Sequence, residues 1–242
     1  MGKVVAIGGG EVSSRETFLI DKFIVEFANK QNPDLIFIPT ASNDNENYSN
    51  AIKELYGKKL NCNVDVLNLI KENFSFDVLK RKLLSADIIY VGGGDTIKML
   101  KVWEEKKVNK ILIEAYRKNK VMAGLSAGAI CWFKEGHSER DDAVNARGYW
   151  DKETPIGLGL IPAIHCPHYN EAGSESFDKQ MNQQLLPGIA IDNNCAFVQK
   201  DNKYKIIKAE SASKAYLFQS SNGIVKKTEL TSTEFMPINH LF

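Results

Sequence analysis

The chain has 242 residues, of which 43% are hydrophobic, enough for one large α/β domain and short for two. Its 31 Lys and Arg residues nearly balance its 30 Asp and Glu residues, and the net charge is +1. Such a balance argues against a protein that binds nucleic acid or a membrane surface. The sequence shows no signal-peptide pattern and no apolar span of about 18 residues, so we expect a cytoplasmic protein without a membrane segment.

The cysteines point to the same compartment. Cys62, Cys131, Cys166 and Cys195 have neither the paired spacing of a zinc site nor the density of a disulfide framework. The sequence therefore predicts reduced thiols in the cytosol.

Short apolar runs alternate with helix-like stretches through the first half of the chain. Five runs are typical of buried strands, at residues 4–7, 35–38, 64–67, 88–91 and 121–124. Apolar residues with helical spacing follow these runs. This alternation predicts parallel βαβ units covered by helices on both faces. The functional crevice of such a sheet lies beyond the carboxyl ends of its strands.

The second half has a different pattern. Residues 157–169 contain another predicted strand, and a helix is predicted on Phe177, Met181 and Leu185. From Gly188 onward, short alternating strands predict a β-rich tail. Because no linker, repeat or low-complexity segment interrupts the chain, we predict a single domain over residues 1–242.

Residues 124–128 read Gly-Leu-Ser-Ala-Gly, directly after an apolar run and before a small-residue helical segment. This is the Gly-x-Ser-x-Gly pattern of a nucleophile elbow, a tight strand-to-helix turn that exposes the serine hydroxyl. Side chains at Gly124 and Gly128 would clash in such a turn. The helix N-terminus behind the serine favours developing negative charge. Ser126 is therefore the predicted nucleophile.

Two further glycine turns lie at the same predicted edge, at residues 8–10 and 92–94. We interpret the first as a simple turn, because a dinucleotide-binding fingerprint would need glycine where Ser13 stands. The second ends the strand expected beside the elbow, so its N–H groups can face an oxyanion at the serine. The predicted oxyanion hole comprises Gly93, Gly94 and Ala127.

A serine becomes a nucleophile when a base takes its proton, and histidine is the base with a suitable pKa. The chain has four histidines. His168 follows a proline at the end of a predicted strand and is the preferred base. His165, inside the apolar strand, and His137, in a polar loop, are the alternatives, whereas His240 is expected in the tail.

The base needs an acceptor that orients its ring. A loop-like polar segment is predicted over residues 134–155, after the elbow helix. It contains Glu139, Asp141 and Asp142, each of which is a candidate for this role as well as a candidate solvated loop residue. Arg140 and Arg147 of the same segment are candidate binding groups for a substrate carboxylate.

Three motifs occur in order: Val-Gly-Gly-Gly-Asp-Thr at 91–96, Gly-Leu-Ser-Ala-Gly-Ala at 124–129, and Gly-Leu-Ile-Pro at 159–162 followed by Pro-His at 167–168. With them the chain resembles the peptidase E and cyanophycinase family of serine hydrolases, peptidase family S51, over nearly its whole length. The resemblance implies a flavodoxin-like three-layer α/β fold with a mostly parallel sheet, similar to class I glutamine amidotransferases. It also implies hydrolysis of peptides that bear aspartyl residues, without a metal.

The resemblance assigns site residues as well. Ser126 matches the serine of the family, and His168 matches the histidine of its Pro-His motif. Ungapped counting from the serine matches the family's aspartate to Asp141, while Asp142 and Glu139 stay open.

At position 95 peptidase E has asparagine, whereas this chain has Asp95 and resembles cyanophycinase. We predict that Asp95 binds substrate. Residues 174–179 lack the arginine that peptidase E carries after its Pro-His motif, which argues against strict Asp-X specificity.

These observations predict a serine exopeptidase or dipeptidase. It would cleave small peptides at an aspartyl or other acidic residue through a Ser-His-Asp/Glu triad and an acyl-enzyme. The alternatives are an isoaspartyl or cyanophycin-type hydrolase and a non-catalytic member of the fold that binds a small ligand. We expect a small peptide as partner, a monomer or homodimer, and neither a metal nor another cofactor.

Overall fold

The computed structural model describes residues 2–137, 154–182, 184–221 and 224–242. In these ranges the strands form one sheet of eight and one sheet of five. No helix within them is both long and apolar enough to cross a membrane.

The strands are β1 (Lys3–Ile7), β2 (Asp34–Ile38), β3 (Asn63–Val66), β4 (Ile88–Val91), β5 (Val121–Leu125), β6 (Phe133–Gly136), β7 (Ile161–Cys166), β8 (Gly188–Ile191), β9 (Cys195–Lys200), β10 (Lys203–Lys208), β11 (Ala215–Ser221), β12 (Ile224–Glu229) and β13 (Met236–Pro237). The α-helices are α1 (Phe18–Phe27), α2 (Glu46–Ile52), α3 (Phe76–Ser85), α4 (Thr96–Glu105), α5 (Val108–Arg117), α6 (Ala127–Ile130) and α7 (Glu175–Met181). A 3₁₀ helix spans Thr40–Ser42, and a π-helix spans Lys53–Lys59.

The larger sheet has the order β13-β10-β9-β1-β5-β4-β2-β3. Its five strands from the first half of the chain are all parallel. Strands β9 and β10 extend it in the antiparallel sense. The predicted α/β fold with a mostly parallel sheet is confirmed, and so is the β-rich carboxyl-terminal region.

Apolar side chains cover both faces of the parallel strands. Along β1, Val5 and Ile7 pack with α1 and α2, whereas Val4 and Ala6 pack with α3, α4 and α5. This alternation follows from the two-residue repeat of a strand. The result is the helix–sheet–helix layering that continuous apolar strands predict.

The smaller sheet has the order β12-β11-β8-β7-β6, and β6, β7 and β8 are parallel. One of its faces joins the core beneath α3, α4 and α5, and the other packs on Phe177 and Met181 of α7.

Two expectations about this part of the chain are wrong. The segment predicted as a loop from residue 134 begins with strand β6, and α7 ends at Met181, before the fully exposed Leu185. Leu185 gains no burial that would extend the helix, and Pro187 follows two residues later.

The elbow requires glycine because backbones approach closely. A Cβ at Gly128 would lie 2.1 Å from the carbonyl oxygen of Val91, and a Cβ at Gly124 would lie 2.0 Å from that of Gly128. Neither backbone oxygen can move aside as a flexible side chain can, so the contact of α6 with β4 and β5 depends on both glycines.

We therefore expect Gly128→Ala to lower the free energy of unfolding by about 1–3 kcal/mol, the usual cost of overpacking. Urea unfolding measures this change. Gly57→Ala is the matched control, because a Cβ there meets nothing closer than 3.7 Å. Equal stability of the two variants would contradict the prediction.

Candidate active site

Ser126 lies in a strained turn between β5 and α6. Its φ of 56° and ψ of −117° are unusual for a residue with a side chain and cost about 1–3 kcal/mol. The turn is held in place because the Ser126 N–H donates to the Ile7 carbonyl at 3.0 Å, and the N–H groups of Ala129 and Ile130 donate to the Ser126 carbonyl. The structure thus contains the predicted elbow.

The hydroxyl of Ser126 forms a hydrogen bond with His168. The distance from Ser126 Oγ to His168 Nε2 is 2.5 Å, and His168 Nδ1 lies 2.9 Å from Asn193 Oδ1. Because an amide oxygen only accepts, Nδ1 carries the ring proton and Nε2 accepts from the serine hydroxyl. This is the tautomer that a general base requires.

Asn193 and Glu171 complete the surroundings of the ring, and neither was predicted from the sequence. Asn193 Nδ2 donates to Glu171 Oε1 at 2.7 Å, and that oxygen lies 3.6 Å from His168 Nδ1. Asn193 follows β8, the parallel neighbour of β7. The polar residues after the apolar run 188–191 were the signal that could have revealed it.

The site forms where the carboxyl ends of the two sheets meet. Ser126 follows β5 of the larger sheet, and His168 and Asn193 follow β7 and β8 of the smaller one. Gly9, at the end of β1, lies between them: a Cβ there would be 1.9 Å from Asn193 Oδ1 and 2.4 Å from His168 Nδ1. The turn at 8–10 is therefore also part of the packing of the site.

The predicted oxyanion donors differ in their surroundings. Gly94 lines the cavity at Ser126 and has a φ of +135°. The Ala127 N–H is the first of α6, so it has no acceptor within that helix. The Gly93 N–H instead donates to Tyr48 Oη at 3.4 Å. The Gly93 N–H is therefore already engaged in a hydrogen bond with Tyr48, and its role as a donor to the oxyanion stays a prediction.

A cavity of about 280 Å³ opens in front of Ser126 and His168. This volume is at the small end of the roughly 300–1,000 Å³ that is typical of ligand pockets. Polar groups on its wall include those of Thr96, His137, Glu171 and Ser174. The described wall therefore combines the Ser–His pair with further hydrogen-bonding groups.

The other histidines have structural contacts. His165 is fully buried, stacks on Phe133 at 4.5 Å and donates from Nδ1 to the Ile189 carbonyl at 2.9 Å. Burial lowers its pKa to about 3, with the hydrogen bond to Ile189 opposing the shift. It is a core histidine and not the base at Ser126.

His137 is buried at the cavity rather than solvated. Its Nδ1 lies 2.6 Å from Gln180 Oε1 and its Nε2 lies 2.8 Å from Ser176 Oγ, so it joins the end of β6 to α7. His240 lies near Tyr204, 3.3 Å from its hydroxyl, and does not line the cavity.

Asp95 caps helix α4, where its carboxylate accepts from the Lys98 N–H at 2.9 Å. Its neighbours Gly94 and Thr96 line the cavity, and its role in substrate binding stays a prediction. The remaining predicted side chains lie outside the described residues; they are Glu139, Arg140, Asp141, Asp142 and Arg147. Within the described ranges, no group of His, Cys, Asp and Glu could hold a metal ion.

The fold and the geometry define a class: an α/β protein with a Ser–His hydrogen bond at a strand-to-helix elbow, an arrangement suited to hydrolases. Comparison with known proteins narrows this class. The chain belongs to peptidase family S51, whose family model matches residues 4–207. It is 32% identical over 222 residues to the "Uncharacterized peptidase YgaJ" of Bacillus subtilis (strain 168), covering 89% of this chain and 91% of the relative.

Solved structures share the fold. A peptidase from an acI-B1 Actinobacterium superposes with a TM-score of 0.72 at 20% identity, covering 98% of this chain and 97% of the other. A putative peptidase E protein from Listeria monocytogenes EGD-e superposes with a TM-score of 0.64 at 19% identity, covering 86% and 98%. The family model and the Bacillus relative confirm the predicted family, and the chain is a peptidase by family.

The buried His165 predicts a pH dependence of stability. Its folded pKa of about 3 lies below the ordinary value of 6.5. The unfolded chain therefore binds the proton first as the pH falls, and stability is lost between these two values. We expect the wild type to lose free energy of unfolding more steeply than His165→Gln between pH 6.5 and pH 4, measured by urea unfolding. His240→Gln, at an exposed position, is the control; a wild-type slope in His165→Gln would contradict the prediction.

Proposed function

We propose that the protein is a serine-type peptidase that hydrolyses small peptides through an acyl-enzyme, with Ser126 as nucleophile and His168 as base. The 2.5 Å hydrogen bond between Ser126 Oγ and His168 Nε2 carries this proposal. Membership of peptidase family S51 supports a peptide bond as the target. The strained turn also supports it, because strain of this kind is found where a functional group must be presented.

In the proposed reaction, Ser126 Oγ attacks the scissile carbonyl while His168 Nε2 takes the hydroxyl proton. The N–H groups of Ala127 and Gly94 hold the tetrahedral oxyanion. When this intermediate collapses, the imidazolium returns the proton to the leaving amine. Water then attacks the acyl-enzyme with the same histidine as base and releases the acid.

We assign the orientation of His168 to Asn193 and the stabilisation of its charge to Glu171. The amide oxygen at 2.9 Å selects the Nδ1–H tautomer, and the carboxylate oxygen lies 3.6 Å from the same nitrogen, close enough to interact with the positive charge that the ring carries during the reaction. This pair takes the role for which the sequence suggests Asp141. The assignment rests on residues that contact the ring.

The size of the cavity supports a dipeptidase or other exopeptidase, because the cavity of about 280 Å³ among the described residues holds only a short segment of chain. The preference for an aspartyl or other acidic residue is proposed from the resemblance to peptidase E, a name that the Listeria neighbour also bears. The described wall holds no Lys or Arg, so we propose Arg140 and Arg147 as the partners of a substrate carboxylate.

We further propose that the protein acts in the cytoplasm as a monomer or homodimer. The four cysteines are all free thiols and all buried, which is consistent with a reducing compartment.

Ser126→Ala tests the proposal. We expect it to lower kcat by at least about 10³-fold, because the nucleophile is lost while the oxyanion donors remain. The substrates are Asp-Leu, an isoaspartyl dipeptide, an Asp-Arg polymer and Ala-Leu, with Asp-Leu expected to be hydrolysed fastest. A fluorophosphonate probe should label the wild type at Ser126 and leave the variant unlabelled. Turnover by Ser126→Ala at the wild-type rate would refute the mechanism.

Asn193→Ala tests the orientation of the base. Since it removes the acceptor from Nδ1, we expect kcat to fall by roughly 10–100-fold while KM changes little. Glu171→Gln should lower kcat less, because it keeps the acceptor for Asn193 and removes only the charge.

Glu175→Gln is the matched control, since it removes one exposed carboxylate on α7 that lines the neighbouring groove and not this cavity. Wild-type kcat in Asn193→Ala would remove Asn193 from the mechanism.

A further inference from the structure

The turn after β4 has its peptide N–H groups fixed in different ways. The Gly92 N–H donates to the Ile38 carbonyl at 3.1 Å, and the Asp95 N–H donates to the Ala41 carbonyl at 2.9 Å. The first acceptor is the last residue of β2, and the second lies in the 3₁₀ helix that follows β2. Between them, the Gly94 N–H has no acceptor in the part of the chain that the structure describes, and Gly94 lines the cavity. Gly94 is thus the residue of this turn whose N–H is available to a ligand.

The Gly93 N–H, between these anchors, is held by a side chain. It donates to Tyr48 Oη at 3.4 Å. Gly93 also lies beside Ser126, since a Cβ added to it would be 3.3 Å from Ser126 Cβ. The Gly93 N–H belongs to the Gly92–Gly93 peptide, so Tyr48 fixes the peptide immediately before the one that carries the Gly94 N–H. The hydrogen bond from the Asp95 N–H to Ala41 fixes the peptide immediately after it.

Packing fixes the ring of Tyr48. The residue lies in α2, whose first turn is capped by Asn45, and the ring meets the edge of Phe37 at 5.0 Å. It also rests against Gly92, where an added Cβ would be 2.9 Å from Tyr48 Cε1. The hydroxyl therefore reaches the turn from a rigid support. Burial raises the pKa of Tyr48, so the oxygen stays a neutral acceptor.

We propose that Tyr48 is a positioning residue for the oxyanion hole. By binding the Gly93 N–H it fixes the Gly92–Gly93 peptide, and so fixes the start of the next peptide, whose Gly94 N–H is left to the oxyanion. The inference rests on the proposed function, because it assigns Tyr48 to the transition state of that reaction. Tyr48 touches neither the reacting atoms nor the substrate in this scheme.

Tyr48→Phe tests the proposal, since it removes the hydroxyl and keeps the ring that packs on Phe37. We expect kcat to fall by about tenfold, less than the loss of a whole oxyanion donor, with KM within about twofold of wild type. Labelling of Ser126 by the fluorophosphonate probe should slow to the same degree, because the phosphoryl oxygen occupies the oxyanion hole. Amide exchange at Gly93, followed by NMR, should become faster.

Tyr90→Phe is the matched control. Its hydroxyl is buried on the same side of the sheet and has no partner among the described groups, so its loss changes the aromatic cluster without touching the turn. We expect wild-type kcat, labelling and Gly93 exchange in this variant.

Three results would overturn the inference. The first is a Tyr48→Phe enzyme with wild-type kcat and labelling. The second is an equal loss in Tyr48→Phe and Tyr90→Phe that follows a lower melting temperature. The third is a wild-type protein that neither cleaves peptides nor reacts with the probe, which would reject the proposed function as well. In that last case unchanged Gly93 exchange would remove the structural role too.

Discussion

The hydrogen bond between Ser126 and His168 joins the two sheets of this protein. Its donor follows a strand of the larger sheet and its acceptor follows a strand of the smaller one, so the 2.5 Å distance exists only when both sheets end at the same place. The polar link from His168 to Asn193 crosses to the next strand of the smaller sheet. The geometry of the proposed catalytic pair therefore depends on how the two sheets dock.

Close backbone packing makes that docking possible. Gly9 leaves room for the ring of His168 and the amide of Asn193, and Gly94 lets its turn approach the carbonyl of Ala41, where a Cβ would be 2.2 Å away. Gly128 does the same for the elbow helix. At each position, any side chain would push apart the groups that form the site, so the glycines serve packing as well as turns.

The carboxylate of Glu171 is linked to the His168 ring through the side chain of Asn193. An amide oxygen holds His168 Nδ1, and the carboxylate that supports it, Glu171, is more than half exposed, with 58% of its side chain accessible. Water screens an exposed carboxylate, so its effect on the ring is weaker than that of a buried one. The hydrogen bond to Asn193 fixes the tautomer of His168, and the carboxylate of Glu171 adds a weaker electrostatic interaction with the ring.

The sequence by itself determined the parallel strands and the elbow at Ser126, and it selected His168 as the candidate base, because apolar runs, small-residue turns and a motif order are local properties of the chain. Only the tertiary structure decided that Asn193 and Glu171 surround the base, that His165 is a core residue, and that Tyr48 holds the Gly93 N–H. The contact of His168 with Asn193 joins residues 25 positions apart, and that of Gly93 with Tyr48 joins residues 45 positions apart. They arise from the docking of separate elements, and no local pattern of residues encodes that docking.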